Sequence, residues 1–189
     1  PDQLNIVGYN WGRVNPDEYI VIGGHFDIAY MFTPPGGGTN EGSNDDTSGS
    51  TVSLEVGQAL AQMEFDHTVV AALWACEEEG LLGSLAYVAN LPENVSVRTY
   101  MNFDMVSLNY PITPITEPLI DPLTGDIFEP TKYDWSISIA GASDENMDRM
   151  YDWVTQTIDE NLAYQPTEGN PIMWQKAESC SSDHCSFFS

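Results

Sequence analysis

Apolar and polar positions along the chain switch between strand-like and helix-like periods. Asn5 to Tyr9 and Glu18 to Gly24 read as short strands, the second buried, and Asn15-Pro16-Asp17 supplies turn chemistry between them, which predicts a hairpin. Pro34-Pro35-Gly36-Gly37-Gly38 opens a loop running to about Ser48, after which Val52, Val56, Ala59/Leu60 and Met63 recur at helical spacing. Thr68 to Ala75 is a continuous apolar run of strand length, the pattern of a central strand covered on both faces, and Leu81 to Leu91 reads as a short helix behind it. Arg98 to Phe103 and Trp135 to Ile139 alternate like strands, and Ser143 can cap a helix carrying Met147, Met150, Val154 and Ile158. Pro111 to Thr131 holds five prolines and reads as an inserted surface loop.

Strands that alternate with helices predict an α/β fold, a three-layer α/β/α sandwich on a mixed, mostly parallel sheet with its ligand site at the carboxyl ends of the strands. A chain of 189 residues, 42% hydrophobic and 11% aromatic, can bury one sizeable core, and its length suits one domain over residues 1–189 with 111–131 as the inserted loop. The 5 Lys and Arg face 29 Asp and Glu, a net charge of −24, which excludes nucleic-acid binding through a basic face and docking on an anionic membrane. No apolar stretch approaches the roughly 20 residues of a membrane span. The acidic excess has two readings, a solvated negative surface or adaptation to high salt, where screening relieves self-repulsion. Three cysteines are too few for a disulfide scaffold, although Cys180 and Cys185 are close enough in sequence to pair.

Candidate chemistry collects where predicted strands end. His25 and Asp27, two apart after Glu18 to Gly24, point to one side in extended backbone. Asp45 and Asp46 lie in the loop ahead of the first helix, Glu77, Glu78 and Glu79 follow the apolar run, and Asp104 follows Phe103. Taken singly, each has a plain structural explanation: a surface His–Asp pair, a capped turn, a solvated helix start. Together they gather like charges at one sheet edge, a cluster that calls for cations or protons. Imidazole and carboxylates without thiolate suit zinc, manganese or cobalt. Asp27 fits a carboxylate that orients a ligating His25, and the adjacent glutamates can divide metal binding from proton transfer.

In order, Gly23-Gly24-His25-Phe26-Asp27, Asn44-Asp45-Asp46-Thr47-Ser48-Gly49, Ala75-Cys76-Glu77-Glu78-Glu79-Gly80-Leu81-Leu82-Gly83-Ser84, Asn102-Phe103-Asp104-Met105 and Ser182-Asp183-His184 resemble the motifs of the co-catalytic zinc aminopeptidases, a family of peptidase clan MH that includes aminopeptidase Y and glutamate carboxypeptidase. The resemblance implies the phosphorylase/hydrolase-like zinc exopeptidase architecture and two zinc ions. It implies that His25 binds one metal with Asp104, that Asp27 buttresses His25, that Asp45 bridges both metals, that Glu78 ligates the second, and that Glu77 is the general base. Glu79 and Asp46 receive no role. The implied activity is that of a metal-dependent exopeptidase, an aminopeptidase acting on a peptide substrate, with water activated between the two metals.

The same resemblance places His184 near the site without making it a ligand. It sets a fifth ligand, a histidine, beyond Ser189, so the chain is expected to be a fragment cut at both ends. His67, entering the wrong end of the apolar strand, reads as a surface residue. Two rivals share the fold: a single-zinc glutaminyl cyclase-like enzyme and a non-catalytic binding module. Export of many family members implies a secreted or extracytoplasmic location.

Overall fold

The computed structural model describes residues 3–29, 41–106, 119–120, 127–128, 135–140, 148–149, 151–153, 155–157, 172–177 and 181–187. The chain divides into two compact units, Pro1–Leu108 with Cys180–Ser189, and Asn109–Ser179. In the first unit the order is β1 (Ile6–Asn10), β2 (Asn15–His25), α1 (Thr47–Leu60), β3 (His67–Trp74), α2 (Leu82–Ala89), β4 (Ser96–Asn102) and a 3-10 turn, Asp183–Phe187. The four strands form one mixed sheet in the order β1-β3-β2-β4. β2 runs parallel to both β3 and β4, and β1 runs antiparallel to β3.

β1 and β2 are therefore not a hairpin, because β3 lies between them. The turn chemistry of Asn15-Pro16-Asp17 is spent inside β2, where the register shifts between Asn15 and Tyr19, so the residues that promised a reversal make a bulge at the strand's start. The apolar run is the central strand it promised to be: Thr68, Val70 and Trp74 of β3 have no exposed surface.

Side chains alternate across a strand, and both faces of β3 are covered. Val70, Ala72 and Trp74 join Tyr19 and Val21 in the core, against Tyr87 and Leu91 on the α2 side and Phe187 of the 3-10 turn. On the other face α1 approaches so closely that a Cβ on Gly57 would lie 2.7 Å from the Cβ of Ala71. That approach explains why α1 starts well before its first apolar repeat. Its buried residues are small (Ser48, Gly49, Ser50 and Ser53), and Asp46 caps its amino end by accepting from the Gly49 N–H. Helices on both sheet faces complete the α/β/α layering.

The second unit contains a two-residue antiparallel pair, β5 (Leu119–Ile120) with β6 (Ile127–Phe128), and a parallel pair, β7 (Trp135–Ala140) with β8 (Ile172–Ala177). β5 and β6 fall within the proline-rich segment read as loop, and β7 covers the expected strand. Helical residues occur at 148–149, 151–153 and 155–157, while Met147, Met150, Val154 and Ile158 lie outside the described residues. Among the described residues no helix is long and apolar enough to cross a membrane. Cys76 is a free thiol and Cys185 is disulfide-bonded, Cys180 lying outside the described residues.

Candidate metal centre

Parallel pairing carries the carboxyl ends of β2, β3 and β4 to one edge. His25 ends β2 opposite Trp74 of β3, Gly23 lies opposite Asn102 of β4, and the chain after each strand supplies the acids. The His25 side chain is 1% exposed. Its Nε2 lies 3.1 Å from Asp45 Oδ1, 3.8 Å from Asp104 Oδ1 and 3.9 Å from Glu77 Oε2, while Nδ1 lies 3.5 Å from Asp27 Oδ1. Ligand atoms of His25, Glu77 and Glu78 fall within 4.8 Å of one another, as do those of His25, Asp46 and Asp104. All six residues to which the resemblance gives a role therefore reach one cluster. An apolar cavity of about 400 Å³ lies elsewhere, between α1 and strands β1 and β3, and no member of the cluster lines it.

Asp46, which the sequence left without a role, is the joint of the site. It is 1% exposed. Oδ2 accepts from the His25 N–H at 3.2 Å, and Oδ1 accepts from Gly49 and Met105 N–H, each at 3.0 Å. One carboxylate thus ties the end of β2, the start of α1 and the segment after β4. Close backbone approach makes room for it: a Cβ on Gly24 would lie 2.8 Å from Asp46 Oδ2, and one on Gly49 2.6 Å from both oxygens. An acid three residues before a glycine at a helix start was the readable signal, and it indicated only a cap. With its oxygens committed to backbone, Asp46 has less to offer a cation than Asp45 beside it.

The acid loop after β3 is held just as tightly. Asp27 accepts from the backbone N–H of Glu77 on Oδ1 and of Glu78 on Oδ2, both at 3.0 Å. Cys76, Gly80 and Leu81 all have positive φ, and backbone bonds from Leu82 to Cys76 and from Leu81 to Glu77 close the loop around those conformations. Positive φ at a non-glycine residue persists only where surrounding bonds over-determine it, and such places cluster at functional sites. His184 sits buried in the 3-10 turn. His67 lies at the start of β3, half-buried, with Nδ1 3.1 Å from Glu18 Oε2, away from the cluster.

Charge inside the cluster is poorly compensated. Burial lowers the His25 pKa, but the facing carboxylates of Asp104 and Asp27, with Glu77 and Asp46, overwhelm it and raise the imidazole to about 11. Burial raises Glu77 to about 7, helped by the charges of Asp183, Asp104 and Glu78, and burial with the charge of Asp104 raises Asp46 to about 7. Burial also lifts Asp183 to about 6. Burial opposes ionisation of Asp27 and Asp104 too, yet the His25 partner, the two loop N–H groups at Asp27 and the Ser182 hydroxyl at Asp104 hold both below the usual range.

This donor set fits a divalent cation. Asp104 Oδ1 and Glu78 Oε1 are buried without a hydrogen-bond partner, and the acids crowd a single imidazole. The fit predicts a pH response of the metal-free protein. Glu77, Asp46 and Asp183 carry folded-state pKa values above their unfolded ones, so their stabilisation is complete below about pH 4 and is lost as pH rises through 6 to 7. His25 adds a loss from about 6.5 upward. The thermal midpoint should fall between pH 5 and pH 8, and a divalent cation should restore it at pH 8. A midpoint that climbs over that window in the metal-free protein would contradict the charge assignment.

Fold and cluster together define the class: an α/β protein with a candidate metal centre at the carboxyl edge of its sheet. The chain belongs to peptidase family M28, whose profile matches residues 5–188. Aminopeptidase Y of Saccharomyces cerevisiae is 38% identical over 99 residues, which cover 51% of this chain and 17% of that protein. Two solved structures share the fold over 97% of this chain. BSAP, a zinc aminopeptidase from Bacillus subtilis, has a TM-score of 0.59 and 24% identity and is covered over 36% of its length. A Bacteroides thetaiotaomicron glutaminyl cyclase has a TM-score of 0.60 and 16% identity and is covered over 59%. This chain spans about a sixth of the length of the curated relatives it matches, 16% for a Pseudomonas aeruginosa aminopeptidase and 17% for aminopeptidase Y.

Proposed function

We propose that this chain forms part of the catalytic domain of a metal-dependent exopeptidase, an aminopeptidase that hydrolyses N-terminal peptide bonds. The observation that carries the reading is the convergence of Asp45, Glu77 and Asp104, from three separate segments, within 3.9 Å of one buried imidazole nitrogen. His25 and Asp104 would hold one ion, Glu78 a second, and Asp45 both, with zinc favoured over manganese or cobalt by the family. When bound, the ions supply Lewis acidity toward the scissile carbonyl and toward water.

The chain's own groups do the rest. Glu77 takes a proton from the attacking water and returns it to the leaving nitrogen, so a C–O bond forms as the C–N bond breaks and the base is regenerated. Asp27 orients His25 and, through the N–H groups of Glu77 and Glu78, fixes the base relative to the imidazole. The acidic surroundings suit a substrate that presents a cationic amino terminus. The disulfide at Cys185 supports an extracytoplasmic location, where such bonds persist.

Metal-loaded full-length protein should release nitroaniline from an amino-acid nitroanilide, lose that activity to a chelator and regain it on adding back zinc, with two ions bound per chain. Activity indifferent to the chelator would sink the reading. A single ion with cyclisation of amino-terminal glutamine would favour the cyclase alternative, which the Bacteroides thetaiotaomicron structure keeps in view.

A further inference from the structure

Asp104 is the last member of a half-buried hydrogen-bond chain that begins on a different strand. The Trp74 Nε1–H donates to the Tyr100 hydroxyl at 2.8 Å, and that hydroxyl donates to Asn102 Oδ1 at 2.6 Å. Asn102 Nδ2 donates to Ser182 Oγ at 2.7 Å, and Ser182 Oγ donates to Asp104 Oδ2 at 2.6 Å. The direction of every bond is forced. An indole N–H can only donate and an ionised carboxylate can only accept, so each proton between them points toward Asp104 and the Asn102 amide has one permitted orientation. β2 leaves space for the first link: a Cβ on Gly23 would lie 3.0 Å from Trp74 Nε1 and 3.2 Å from the Tyr100 hydroxyl.

The chain leaves the two oxygens of Asp104 unequal. Oδ2 is occupied by Ser182, whereas Oδ1 is buried without a partner, 3.8 Å from His25 Nε2. We propose that Tyr100 is a positioning residue for the metal centre, acting through Asn102 and Ser182 to hold Asp104 so that it offers a cation Oδ1 alone. This inference rests on the metal-binding part of the proposed function. Tyr100 touches neither His25 nor any acid of the cluster through a hydrogen bond, and its ring stacks on Phe187 with centroids 4.2 Å apart. Burial and the Asp183 carboxylate raise the phenol well above its usual range, which keeps it a donor.

Tyr100→Phe keeps the ring and its stacking but removes the hydroxyl that fixes the Asn102 amide. Zinc affinity of the metal-free full-length protein, measured by competition with a chromophoric chelator, should fall roughly 10- to 100-fold, the usual effect of losing a partner behind a metal ligand. Ser182→Ala should produce a similar loss, and adding Tyr100→Phe to Ser182→Ala should lower affinity no further, because the two act along one path. Asn102→Leu, near in size, removes both central links and carries the same expectation, so the test survives if one variant fails to fold. Wild-type affinity in Tyr100→Phe and Asn102→Leu, or losses that multiply in the Tyr100→Phe/Ser182→Ala double variant, would overturn the relay while leaving the metal centre in place. A wild-type protein that binds no zinc would overturn both.

Discussion

Replacing Glu77 by Gln is expected to lower the turnover of metal-loaded enzyme by roughly 10²–10⁴, the usual worth of general acid–base catalysis, with metal content unchanged. The amide has nearly the shape of the carboxylate and cannot hold the transferred proton. The loop around it should stay in place, because Asp27 grips the backbone N–H groups of Glu77 and Glu78 and not their side chains. Glu77 side-chain exposure is 10%, so no bulk water is positioned to replace it easily. Two measurements on one preparation decide the matter, metal analysis by mass spectrometry and nitroanilide turnover. Undiminished turnover would remove Glu77 from the base role, and loss of an ion would make it a ligand instead.

The second large effect is one of stability. Asp46→Ala removes the cap of α1, worth about 0.5–2 kcal/mol, and strands the buried N–H of His25, worth about 1–3 kcal/mol when left unpaired, together with the part-buried N–H of Met105, worth less. The sum is about 3 kcal/mol or more, a large share of the roughly 5–15 kcal/mol that holds a domain folded. With Asp46 raised to about 7, its contribution is complete below the usual carboxylate range and shrinks as pH rises through 7, so the loss should be greater at pH 5 than at pH 8. Denaturant unfolding of the metal-free protein at both pH values measures it. A loss below 1 kcal/mol at pH 5 would mean that water or rearranged backbone satisfies those donors.

Much of this was legible in the chain itself. The apolar run of β3 announced a strand covered on both faces, and the acids fell at the ends of parallel strands because such sheets place their ligand sites there. What escaped was long-range order. Nothing local in Asn5 to Tyr9 distinguishes a strand that pairs with β2 from one that pairs with β3, and turn residues at Asn15-Pro16-Asp17 favoured the nearer partner. The start of α1 was legible from the loop ending at about Ser48, and what hydrophobic periodicity did not register is that Ser50, Ser53 and Gly57 pack by being small. The partners of Asp46 and Ser182 were beyond reach because the fold fixes them, Ser182 meeting Asp104 across 78 positions of sequence.

Asp27 faces two things at once: both of its oxygens accept from the acid loop, while the imidazole Nδ1 stands 3.5 Å from Oδ1 without a hydrogen bond. The loop and Asp27 move together, and the imidazole is packed beside them. An ion of a different radius in the proposed centre would therefore meet an acid loop fixed by Asp27 and an imidazole that no hydrogen bond from Asp27 restrains. Adjustment would then fall to His25 and Asp45, since the Ser182 hydroxyl already holds Asp104, and the tolerance for metal exchange would be set by how far those two side chains can travel.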